Sequence, residues 1–101
     1  MTRYRKKPVE IEARRWDGTE AEGQKLVDWA NPWGTKLNLI GMPQKQVLSI
    51  DDDPELYWLL SIPTLEGTMF VNPGDYVIKG VKDEFYPCKP DIFATTYEEI
   101  D

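Results

Sequence analysis

Three breaks in the last third of the chain leave it little freedom over what it folds into. From Pro73 to Ile100 the sequence reads PGDYVIKGVKDEFYPCKPDIFATTYEEI. Pro73-Gly74-Asp75 predicts a turn, because proline presets φ at one position and glycine supplies the positive φ that a tight turn needs. Tyr76 to Val81 then reads as a strand, Lys82-Asp83 as the turn that reverses it, and Glu84 to Cys88 as its partner. Lys89-Pro90 opens a helix, since a proline in the first helical turn lacks only an N–H that would have no partner there. Asp91 places a negative charge at the positive end of that helix. Ile92, Phe93 and Tyr97 have helical spacing, but Thr95 and Thr96 lower the propensity. The expectation is a short helix, or one helical turn followed by an extended tail.

The remaining elements follow from periodicity. Val9 to Trp16 alternates, with Val9, Ile11 and Ala13 on one face and Glu10, Glu12 and Arg14 on the other, which predicts a strand with one wet face. Asp17-Gly18 ends it. Thr19 and Glu22 have capping-box spacing and open a helix whose apolar stripe is Leu26, Val27, Trp29 and Ala30. Gly23 weakens that helix by about 1 kcal/mol relative to alanine, so it marks a close approach. Asn31-Pro32 stops it. Short strands are expected at Lys36 to Ile40 and Gln46 to Ile50, with a charged turn at Asp51-Asp52-Asp53-Pro54. Leu56 to Ile62, bounded by prolines, and Met69 to Val71 complete the strands. The predicted fold is α+β, a single antiparallel sheet with one helix after the first strand and a short helix or helical turn near the end. A chain of 101 residues accommodates one domain, residues 1–101.

Composition removes several chemistries. There is no histidine, so Ser-His-Asp and Cys-His nucleophile activation in their usual form are excluded. Cys88 is the single cysteine, which rules out an intramolecular disulfide and a structural zinc site within one chain. No glycine-rich loop has phosphate-cradling spacing. The formal charge of -6 disfavours nucleic acid, despite the basic run Arg3-Tyr4-Arg5-Lys6-Lys7. No apolar run is long enough to span a membrane, and the opening residues lack the apolar stretch of a secretory signal. An intracellular location is expected, with no cofactor and no metal.

Several segments carry a resemblance. Tyr4-Arg5-Lys6-Lys7-Pro8-Val9-Glu10-Ile11-Glu12-Ala13, then Trp16, Ile62-Pro63-Thr64-Leu65-Glu66-Gly67, Pro73-Gly74-Asp75, Gly80-Val81-Lys82 and Glu84 to Phe93 resemble a family of short, uncharacterised proteins of tailed bacteriophages and prophages. The resemblance covers both ends of the chain around a variable middle from about Thr19 to Leu60. It implies a phage accessory product in the cytoplasm of an infected host cell, and no catalytic residue to carry over. Asp83 stands where the family pattern has glycine, and Ala94-Thr95 replaces a more helix-favouring pair, which bears on the tightness of the last hairpin and the length of the last helix.

The corner Tyr86-Pro87-Cys88-Lys89-Pro90-Asp91 is the main site candidate, because two prolines stiffen it and so reduce the entropy lost on binding. The candidate binding residues are Lys79, Tyr86, Cys88, Lys89, Asp91 and Trp33. The reading favoured over a site is a structural bend that turns the last strand into the helix and anchors Phe85 and Phe93 in the core. The first functional expectation is a non-enzymatic module that binds a host or phage protein. The alternatives are capture of a small nucleotide-like anion by Lys79, Tyr86 and Lys89, and an enzyme using Cys88 or the carboxylates Glu66, Asp75 and Glu84. Edge strands and four tryptophans also leave self-association open.

Overall fold

The computed structural model describes residues 1–5, 7–34, 36–43 and 56–100. Among these the chain forms β1 (Glu12–Arg15), α1 (Glu20–Ala30), a 3-10 turn (Asn31–Trp33), β2 (Asn38–Pro43), β3 (Leu56–Thr64), β4 (Gly67–Val71), β5 (Tyr76–Lys79), β6 (Phe85–Cys88) and α2 (Pro90–Thr96). The α+β expectation holds. The expected single sheet does not: two three-stranded antiparallel sheets form, sheet 1 in the order β1-β5-β6 and sheet 2 in the order β2-β3-β4.

The split has a local cause. β4 and β5 follow each other in the chain but do not pair, because a tight corner at Asn72 to Asp75 redirects the backbone. The Asp75 amide donates to the Asn72 carbonyl at 2.9 Å, and the Asn72 amide donates back to the Asp75 carboxylate at 3.0 Å. Gly74 sits at φ 94°, the left-handed region that glycine enters at no steric cost. The corner is tied to sheet 1 by Trp16, whose carbonyl accepts from the Gly74 amide at 2.7 Å and whose amide donates to the Asp75 carbonyl at 3.0 Å. The indole of Trp16 is fully buried and donates to the Thr19 carbonyl at 2.9 Å. One residue thus fixes the end of β1, the start of α1 and the entry to β5.

The main core lies between α1 and the facing surfaces of both sheets. It comprises Trp16, Leu26, Ala30, Leu37, Leu60, Ile62, Val71, Val77 and Phe85. α1 closes on β2 at Gly23, where a Cβ would lie 2.7 Å from Leu39 Cδ1 and 3.2 Å from Trp16 Nε1. This is the close approach that the glycine predicted.

Other expectations shift in register. The first strand starts at Glu12 rather than Val9, because Glu12 pairs with Lys79, the last residue of β5, and the chain beyond turns away. Half of the capping box forms: Thr19 Oγ1 accepts from the Glu22 amide at 3.2 Å, but the Glu22 carboxylate holds Lys25 at 2.9 Å and the Thr19 amide donates to Asp17 instead. The second strand starts two residues later and ends three residues later than expected. β3 runs through Pro63, since β2 has no residue opposite it and the missing N–H leaves no gap in that ladder. Gln46 to Ile50 and the turn Asp51 to Pro54 lie outside the described residues. The last helix has seven residues and gives way to extended backbone at Tyr97.

Candidate functional site

The pleat of sheet 1 divides the sequence-derived site residues between two faces. Tyr76 pairs with Cys88, Ile78 with Tyr86, and Lys79 with Phe85. Directly paired residues share a face and neighbours along a strand alternate. Lys79 and Phe85 therefore point toward the core layer, whereas Tyr86 and Cys88 point toward α2. Lys79, Tyr86 and Lys89 do not converge on one pocket, and the small-anion reading loses its geometric basis.

On the core side, Lys79 is already engaged. Its ammonium lies 4.2 Å above the Trp33 ring and 3.3 Å from the Asp83 carboxylate. Trp33 is half-buried against Phe85, with ring centres 6.1 Å apart, so it works as a wall of the core rather than as an exposed anchor. Arg14, on the same face, stands 4.9 Å over Trp29.

On the other face, α2 docks through an aromatic ladder. Tyr76 stacks on Phe93 with centres 3.9 Å apart and planes 9° from parallel. Phe93 meets Tyr97 at 5.1 Å, and the Tyr97 and Tyr86 hydroxyls approach to 3.5 Å. Burial, and then the Tyr97 hydroxyl, push the Tyr86 phenol far above its ordinary range. Burial also raises the Cys88 thiol, with Asp75 and Asp91 adding to the shift. A cysteine nucleophile needs the opposite shift, so the environment of Cys88 works against the Cys-dependent reading. Lys89 and Asp91 are exposed, and Asp91 occupies the first turn of α2, where its carboxylate opposes an incoming anion.

The carboxylates proposed to converge serve turns instead. Asp75 closes the Asn72–Asp75 corner, Glu84 accepts from the Lys82 amide at 2.9 Å, and Glu66 lies in the exposed turn between β3 and β4. Among the described residues, no group of three or more carboxylates or cysteines is placed to hold a metal ion. None of the described helices is long and apolar enough to cross a membrane.

An open groove of about 1100 Å³ lies beside the aromatic ladder. One wall is the segment from Lys7 to Arg14 and the other is the segment from Thr96 to Ile100. Tyr76 and Phe93 line it between those walls, and Tyr97 of the second wall adjoins them. Beyond the paired stretch Glu12–Arg14, the wall segments have no strand partner among the described residues. Residues 7–11 extend past the end of β5, and residues 97–100 follow the end of α2 without regular structure. Glu10, Glu98 and Glu99 on the walls outnumber Lys7, while Glu12 and Arg14, paired with Lys79 and Val77, share the core-side face, where Arg14 lies over Trp29. Sequence reasoning missed this groove because its two walls lie at opposite ends of the chain and meet only in the fold. The available signal was the turn after Lys79, which leaves Val9 no strand to pair with.

No protein-family model matches this chain, and no curated protein or solved structure matches it.

Proposed function

We propose that the chain is a non-enzymatic binding module that takes an extended segment of a partner protein into the groove between residues 7–14 and 96–100. The observation that carries this reading is the groove itself: open to solvent, lined by Tyr76, Phe93 and Tyr97, with Glu10, Glu98 and Glu99 on its walls. An enclosed pocket with a few converging polar groups suits a small molecule. An open trough with extended walls suits a peptide strand, held by alternate side chains and by backbone groups that have no ladder partner among the described residues. The excess of glutamates on the walls favours a segment that mixes apolar and basic side chains, and the overall charge of -6 steers the same partner toward the chain. The phage or prophage source, the infected-cell cytoplasm and a host or phage protein as partner rest on the sequence resemblance described above.

The test pairs a defined probe with the natural mixture. A short peptide alternating Lys and Val is titrated into isotope-labelled protein, with a Glu-Val peptide as control. Shifts confined to Tyr76, Phe93, Tyr97 and the two walls are expected for the first peptide and not the second. In infected-cell lysate, a protein retained by the wild type and lost by the double variant Glu98→Lys, Glu99→Lys is expected. Equal retention by the variant, or nothing above background, overturns the reading.

A further inference from the structure

Residues 1–5 and 7–11 lead up to β1 with no turn or regular structure among them. Arg3, Tyr4 and Arg5 are exposed, Tyr4 at 92%, and none of residues 1–5 lines the groove. This arm concentrates one sign of charge. Arg3, Arg5, Lys6 and Lys7 are four of the chain's 12 basic residues, and no acidic residue lies among them, so the other eight are set against all 18 acidic ones. The groove carries the opposite sign on Glu10, Glu98 and Glu99. Among the described residues neither set is paired within one copy: the ion pairs are Lys25–Glu22 and Lys79–Asp83. The apolar parts correspond as well. Tyr4 stands between two arginines, and the groove sets Tyr76, Phe93 and Tyr97 beside glutamates.

On the reading of the groove as a site for an extended segment, we propose that Arg3-Tyr4-Arg5 of a second copy of this chain occupies it, two copies exchanging arms reciprocally. Charge selects this occupant. The net -6 of each copy opposes association in general, but the arm of one meets the groove of the other with opposite sign. A single copy does not make the same contact, because its arm runs on from the wall at Lys7 and leaves Tyr4 in solvent. Lys7 is both the root of the arm and a lining residue of the groove. Each arm therefore starts at the edge of its own groove, and a two-fold axis that brings the two grooves together sets each arm beside the other copy's groove. There Tyr4 gains aromatic neighbours, and the arginines gain carboxylates that hold them more strongly than neutral acceptors would. Pairing of this kind closes the groove, so a partner protein competes with the arm, and self-association regulates the site.

Charge reversal on the full chain, followed by sedimentation equilibrium, tests this. In low salt the wild type is expected to pair at hundreds of micromolar and to dissociate as salt rises, since the charges in contact lie near solvent. The arm variant Arg3→Glu, Arg5→Glu and the wall variant Glu98→Lys, Glu99→Lys are each expected to be monomeric alone and to pair when mixed, because each arm then meets a groove of opposite sign. All four positions are exposed, so both variants are expected to melt as the wild type does. A wild type that stays monomeric, a variant that pairs alone, or a mixture that stays monomeric overturns the proposal. So does a monomeric wild type with nuclear Overhauser contacts between Tyr4 and Phe93, which puts the arm in its own groove. The Lys-Val peptide separates this result from the reading of the groove. Where about nine-tenths of the wild type is paired, its affinity for the peptide is expected to be about tenfold below that of the arm variant, whose groove stays open. Equal peptide binding by the two without pairing keeps the groove as a site and removes the second copy, whereas absence of both peptide binding and pairing removes both.

Discussion

Cys88 illustrates how a residue's neighbours set its chemistry more than its type does. The thiol points to the α2 side of sheet 1 and donates to the Lys89 carbonyl at 3.6 Å. Burial is the main reason its proton is held, and the Asp75 and Asp91 carboxylates reinforce it. Lys89, beside the cysteine in sequence, does not reverse this, because the next residue along an extended chain leaves on the opposite side. The same parity explains why Lys79 and Tyr86 are apart. Alkylation by iodoacetamide at pH 8 is expected to be at least about tenfold slower in the folded chain than in urea, since thiolate fraction and access both fall. Equal rates would show that the thiol is free. The sign for stability follows from the raised value: the folded state holds the proton more tightly, so stability is full below the ordinary 9.0 and declines as pH climbs through the raised value. Asp83 is a second case. It sits at φ 61°, in the left-handed region that aspartate tolerates better than most residues.

At the level of elements, the turns and caps were the most legible part of the sequence. Pro73-Gly74-Asp75, Lys82-Asp83 and Lys89-Pro90 each act where their chemistry placed them, because φ restrictions are local. Strand ends were less legible, since an end is set where the neighbouring strand stops. Val9 alternates correctly yet lies outside β1 for want of a partner opposite it. The start of α1 shows the local rule and its limit. Thr19 caps the helix as its spacing with Glu22 indicated, but the return bond comes from Asp17, whose carboxylate accepts from the Thr19 hydroxyl at 2.7 Å and from the Thr19 amide at 2.9 Å. The hydroxyl bond, and then the amide bond, hold the Asp17 carboxyl below its ordinary 3.8. Its stabilising effect is therefore present above that value and is lost as pH falls through the lowered one. Thr19→Ala is expected to cost about 1 kcal/mol. In acid titrations followed by circular dichroism, the wild type is expected to lose stability more steeply than Asp17→Ala below about pH 4. Parallel acid limbs would mean that Asp17 is not coupled to the fold.

Across the whole molecule, sheet 1 separates two kinds of packing. On one side it closes the core with α1 and sheet 2, through Val77 and Phe85. On the other it carries α2, which has no buried residue and is held by Tyr76, Phe93 and Tyr97. That division was not legible in the sequence, which predicted one sheet, because which strands pair depends on the direction in which the Asn72–Asp75 corner sends the chain. The two sides should open at different free energies. Leu60 is fully buried in sheet 2 and touches the shared core, so Leu60→Ala is expected to cost about 3 kcal/mol, within the range for a buried leucine. Native-state hydrogen exchange reads the consequence. The amides of β5, although in the other sheet, are expected to exchange about two orders of magnitude faster in the variant, since they open only with the whole core. The Phe93 and Tyr97 amides, which donate to Lys89 and Phe93 within α2, are expected to exchange quickly in both proteins and to keep the same rate, because α2 lifts from its aromatic contacts without the core. If the Phe93 and Tyr97 amides slow to the rate of β5 and shift with it, α2 belongs to the same cooperative unit. The wall of the groove that follows it would then be as rigid as the core, and an extended segment would have to enter without any movement of residues 96–100.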